Sequence, residues 1–87
     1  MKFLYASSFL RILKKLDPHL KEAVKETVAK VIDLYTDGTK TPGLGIKQLR
    51  GNIWEGRAGI KVRVIFILLG DKLTFVLVGS HNDIKNL

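Results

Sequence analysis

Cysteine is absent from the 87 residues, which excludes disulfide frameworks, thiolate zinc sites and cysteine nucleophiles together. Histidine occurs only at His19 and His81, and zinc prefers three or four such ligands, so no metal and no cofactor are expected. Acidic residues are scarce. Eight Asp and Glu stand against fifteen Lys and Arg, a net charge of +7, spread over both halves of the chain rather than gathered in a tail. Long apolar runs are missing as well. The longest, Val64 to Leu69, has strand length, whereas a membrane helix needs about 18 apolar residues. The stretch from Met1 to Ala6 lacks the apolar core and small-residue cleavage site of a signal peptide. A cytoplasmic protein with no membrane partner is expected.

What is present is ordinary for a globular chain: 46% hydrophobic and 26% charged residues, values that argue against disorder. The length suits one domain over residues 1–87, since a second core would not fit. An excess of positive charge on so small a domain fits a polyanion partner, either nucleic acid or an acidic protein, or else a merely soluble basic surface.

The local patterns give the order β-α-α-β-β-β, an α+β domain with a helical hairpin and an antiparallel meander. Lys2 to Tyr5 is short, apolar and aromatic, as a strand would be. Ser7 or Ser8 is placed to cap a helix carrying Phe9, Leu10, Ile12, Leu13 and Leu16. Asp17-Pro18 opens a second helix, because aspartate accepts a free N–H of the first turn and proline needs no partner there. Leu20, Val24, Val28, Val31 and Tyr35 form its apolar stripe, and Asp37-Gly38 ends it. Thr39 to Gly45 reads as a loop. Ile53 to Arg57, Ile60 to Leu69 and Leu73 to Val78 alternate as strands, with Gly70-Asp71 as a hairpin turn and Gly79 to Leu87 as a polar tail.

Two features offer chemistry. Glu55 and Arg57 share one side of a strand, and Lys61 and Arg63 share one side of the next. A turn of Ala58-Gly59-Ile60 would pair Arg57 with Lys61 and Glu55 with Arg63, lining one face with charge and leaving Trp54 opposite. The bland reading is a solvated face with weak cross-strand ion pairs. His81, in Gly79-Ser80-His81-Asn82-Asp83, follows a strand end, where a rigid sheet holds loop side chains, and imidazole exchanges a proton near neutral pH. Trp54 offers a ring to stack a base but suits the core equally well, and His19 reads as surface. Gly43-Leu44-Gly45 lacks the lysine of a phosphate-binding loop.

These strings together resemble the RelE/ParE superfamily of bacterial and archaeal toxin–antitoxin toxins. The family pattern reads L-x-G, W-E-x-R, Y-R-V-I-Y and V-G-x-H-x-D. Here it is matched by Leu49-Arg50-Gly51, by Trp54-Glu55-Gly56-Arg57, by Val62-Arg63-Val64-Ile65-Phe66 and by Val78-Gly79-Ser80-His81-Asn82-Asp83. The family's element order matches over essentially the whole chain. Departures are Val62 in place of tyrosine, one extra residue between Arg57 and Arg63, and a tail of Lys85-Asn86-Leu87 without an aromatic. The resemblance implies a toxin that cleaves messenger RNA on the ribosome without metal, by attack of a ribose 2′-hydroxyl on the adjacent phosphate. It implies that Arg63 holds the scissile phosphate, that Arg57 assists, and that His81 protonates the leaving oxygen. By the same resemblance Lys47, Arg50 and Lys61 contact RNA, Glu55 and Trp54 support the site, and an acidic antitoxin is the partner. A gyrase-inhibiting toxin of the ParE branch and a binding module without catalysis are the alternatives.

Overall fold

The computed structural model describes residues 1–84, and the side chains of all of these except His81. The elements run β1 (Lys2–Tyr5), α1 (Ser7–Lys15), α2 (Pro18–Asp37), β2 (Lys47–Arg50), β3 (Ile53–Ala58), β4 (Val62–Leu69), β5 (Lys72–Ser80) and α3 (His81–Ile84). The strands form one five-stranded sheet in the order β1-β5-β4-β3-β2. Strand β1 lies parallel to β5 and every other neighbouring pair is antiparallel. The architecture is α+β, with the helical hairpin before the meander. The sheet is mixed rather than purely antiparallel, and it gains β2 in the stretch that follows the expected loop.

The second helix begins and ends as its sequence dictates. The Asp17 carboxylate accepts from the Leu20 N–H at 3.0 Å, Pro18 occupies the first position, and Gly38 takes the left-handed conformation with φ 79° at the end. The first helix does not: Ala6 is its N-cap, and no side chain caps it. The Ser8 hydroxyl instead donates to the Val76 carbonyl at 2.7 Å. Val76 is the extra residue of a bulge in β5, where Ile65 pairs with Leu77 but Phe66 pairs with Phe75. A bulge frees a residue from the ladder, so its carbonyl needs another donor, and Ser8 supplies it.

Both helices cover one face of the sheet. Phe9 of α1 and Val24, Val28 and Val31 of α2 pack with Ala58, Val64, Phe66, Leu73 and Phe75. Fully burying such a side chain contributes about 1.5–3 kcal/mol before entropy is counted. Phe66 and Phe75 have ring centroids 6.1 Å apart, and Tyr35 meets the Phe66 ring edge-on at 6.0 Å. Burial pushes the Tyr35 hydroxyl above its ordinary pKa.

The β3–β4 register differs from the expected one. Arg57 lies opposite Arg63, Glu55 opposite Ile65 and Ala58 opposite Val62. The turn is therefore residues 59–61, so Lys61 lies in the turn and Ile60, 90% exposed, stands at its tip. This shift of two residues keeps every side chain on its expected face, because side chains alternate with period two.

Candidate nucleic-acid interface

The face of the sheet turned away from the two helices collects the charge. Gly56 points to the helical side, where a Cβ would stand 3.5 Å from Thr27, Val31 and Ile46. Its neighbours Glu55 and Arg57 must point the other way. Lys47 of β2 pairs with Glu55, and Arg63 of β4 pairs with Arg57, so all four share that face.

Arg57 is exposed, and its backbone is fixed just beyond the end of the β2 ladder. Its N–H donates to the Leu44 carbonyl at 2.7 Å, and its own carbonyl accepts from the buried Thr27 hydroxyl at 3.1 Å. A Cβ on Gly45 would lie 3.3 Å from Arg57 Nε, and Gly45 has φ +60°, so this position favours glycine twice over.

Arg63 is placed differently. Its Nε lies 3.1 Å from Glu55 Oε2, with the two side chains 12% and 10% exposed. Its Nη1 donates to the carbonyls of Ile60 and Val62, both at 3.2 Å. Among the described residues, Nη2 has no acceptor and this is the one ion pair, so Lys47 and Arg57 face no carboxylate within reach. Two arginines directly opposite each other on neighbouring strands repel, and Glu55, one diagonal step away, offsets part of that repulsion.

Gly79 of β5 lies opposite Arg63 on its other side. The chain then turns back: a Cβ on Gly79 would meet Asp83 Cβ at 3.3 Å. The Ser80 N–H donates to Asp83 Oδ2 at 3.1 Å and the Asp83 N–H donates to Ser80 Oγ at 3.2 Å. This reciprocal cap holds α3 against the strand end, with Ile84 buried. The Ser80 N–H and hydroxyl together keep the Asp83 carboxyl below its ordinary pKa. His81 is the first residue of α3, so the strand paired with Arg63 delivers its backbone to this edge; its side chain lies outside the described residues, as does the tail 85–87.

The other expected site residues scatter. Arg50 lies opposite Ile53, about 13 Å along the strand from Arg57. Lys61 is exposed in the turn. Trp54 packs against the core on the helical side, away from the basic face. Thr27, Gly45 and the Ser80–Asp83 cap were not singled out; the Ser-x-x-Asp spacing after a strand is the one signal that marks the cap in the sequence. Among the described residues no group of three or more His, Cys, Asp and Glu could hold a metal ion. A cleft of about 360 Å³ lined by Tyr5, Phe9, Leu13 and Val28 opens on the helical side, remote from the charged cluster.

No family model matches the sequence, and no curated protein matches it either. Solved structures do match. The RelB-RelE antitoxin-toxin complex from Methanococcus jannaschii superposes with a TM-score of 0.69 at 22% identity, covering 95% of each chain. YafQ from E. coli strain BL21(DE3) gives 0.70 at 14% identity, covering 94% of each. The YoeB/ParE toxin from Agrobacterium tumefaciens gives 0.68 at 16%, covering 93% of this chain and 99% of that one. The fold of this chain is the fold of the RelE/ParE-type toxins.

Proposed function

We propose that the chain is the toxin of a toxin–antitoxin pair and that its basic sheet face binds and cleaves RNA. The observation that carries the reading is the convergence of Lys47, Arg57 and Arg63 on the open face, beside the β5–α3 junction that carries His81. The matching fold supports it, because the sequence strings resembling the toxin family fall on this cluster and this junction. In the proposed reaction a ribose 2′-hydroxyl gives its proton to solvent water, its oxygen bonds to the adjacent phosphorus, and the bond to the 5′-oxygen breaks. The products are a 2′,3′-cyclic phosphate and a 5′-hydroxyl. Negative charge builds on the phosphate in the transition state, and fixed cations stabilise it there without reorganising. His81 supplies the proton to the leaving oxygen, a contribution of about 10²–10⁴-fold for a placed general acid. The partner is an acidic antitoxin, and the target is messenger RNA on the ribosome.

The test is cleavage of mRNA on programmed, translating ribosomes. Wild type is expected to give fragments ending in a cyclic phosphate. The His81→Gln variant, which keeps a donor but transfers no proton near neutrality, is expected to be slower by about 10²-fold or more. Equal rates would assign His81 no part in proton transfer. Absence of cleavage by wild type, with toxicity retained and gyrase inhibited, would favour a ParE-type target.

A further inference from the structure

We infer that Glu55 is a positioning residue of the RNA-binding face: it anchors Arg63 by one edge so that the guanidinium offers the other edge to a phosphate beside Arg57. The inference rests on the reading of this face as an RNA site. A carboxylate in the middle of a polyanion-binding face is at first sight a defect, since it repels the ligand. It is also one of two buried polar or charged residues among those described, so it is not a stray surface charge. Its Oε2 takes the Nε edge of Arg63 at 3.1 Å, and two backbone carbonyls take Nη1. Three of the five guanidinium N–H groups are thereby spoken for, and the two on Nη2 have no acceptor among the described residues.

A free arginine reaches a phosphate by sampling many rotamers and loses that freedom on binding. Arg63 has lost it already. Released from Glu55, it would face Arg57 directly across the strand pair and be driven away by like-charge repulsion. The oxygen acceptor at Glu55, more than its negative charge, is therefore what the site requires. This inverts the simple electrostatic expectation, under which removing any acid strengthens RNA binding.

Two variants separate acceptor from charge. Glu55→Gln keeps an oxygen for Arg63 Nε and loses the charge; Glu55→Met has similar size and loses both. Binding of a fluorescein-labelled single-stranded RNA oligonucleotide is measured at fixed salt, with folding verified by circular dichroism at the same temperature. Glu55→Gln is expected to bind at least as tightly as wild type, and Glu55→Met about tenfold more weakly, the loss of one charge-assisted hydrogen bond. Both variants tighter, both unchanged or both equally weak would overturn the inference. Should Glu55→Met fail to fold, the Arg63 Nε–H resonance of wild type decides. It is expected to stay protected from exchange as RNA is added, and its disappearance on binding would show Arg63 leaving Glu55. Arg57→Ala is the control for the underlying reading: RNA affinity equal to wild type in that variant would remove the RNA face itself, whereas failure of the Glu55 pattern alone leaves it standing.

Discussion

Arg57 and Arg63 carry the same charge one strand apart, yet the structure gives them unequal freedom. Arg63 is about nine-tenths buried and tied to Glu55, so Arg63→Ala leaves a carboxylate buried without its counter-charge. Breaking a buried pair in this way costs about 3–5 kcal/mol. Lost cleavage in that variant would report unfolding as much as chemistry. Arg57 is exposed, and the contacts that fix it are made by its backbone. Arg57→Ala is therefore expected to leave the unfolding free energy within about 0.5 kcal/mol of wild type while weakening RNA binding. A large fall in chemical stability would show that Arg57 is a structural cation. Thr27→Val tests the support beneath it. The Arg57 carbonyl would lose the donor that stands in for a ladder partner, and a buried unpaired carbonyl costs about 1–3 kcal/mol, measured by urea denaturation.

At the scale of elements, a strand end and one helical turn decide where His81 begins. Gly79→Ala would place a methyl 3.3 Å from Asp83 Cβ, so α3 would have to shift by a few tenths of an ångström against the strand. Cleavage is expected to fall in this variant with little change in the melting curve, because α3 adds little to the main core. Acid should loosen the same turn. The Asp83 carboxyl is held below its ordinary pKa in the folded chain, so its contribution is present above the unfolded value, near 3.8, and is lost as pH falls through the folded one. Protection factors at the Ser80 and Asp83 amides, taken relative to the intrinsic exchange rate at each pH, are expected to fall below about pH 4 while those in β4 stay high. Helices α1 and α2 and strands β1, β3, β4 and β5 were legible because their apolar residues follow a helical period or gather in short β-branched and aromatic runs, and Asp17-Pro18 and Gly38 mark the ends of α2. Strand β2 was not: Lys47-Gln48-Leu49-Arg50 holds one apolar residue, which suits an edge strand blunted by charge and carries no strand signal. The β3–β4 turn was misplaced for a different reason. A slip of two residues preserves both faces, so hydrophobic alternation cannot detect it, and grouping charge with charge across the ladder favours the wrong register. The shared face of Glu55, Arg57 and Arg63 survived that error because it depends only on parity. The ion pair survived as a diagonal one.

The whole molecule divides its surfaces by charge and by cover. Helices α1 and α2 close one side of the sheet over the core, and on the other side Lys47 and Arg57 have no carboxylate partner among the described residues, while Arg63 is paired with Glu55. With a net charge of +7, self-repulsion weakens the free chain and favours any polyanion that binds the folded form. Two measurements follow from this, and they differ in what they report. For RNA, three phosphate contacts by Lys47, Arg57 and Arg63 would give a log–log salt dependence of about −2, and Arg57→Ala would reduce the magnitude by about 0.7. For the proposed acidic antitoxin, binding to the folded chain alone stabilises it by mass action. At a hundredfold excess over Kd the gain is about 2.7 kcal/mol, which raises the melting temperature of a domain this size by roughly 10–20 °C. That shift should shrink as salt is added, since the attraction between +7 and an acidic partner is screened within about 10 Å at 0.1 M. A melting temperature that does not move with the product of an adjoining acidic gene, at low salt as well as moderate salt, would remove the antitoxin from the account. A shift that is large but indifferent to salt would mean that the partner is held by apolar contact rather than by the basic face.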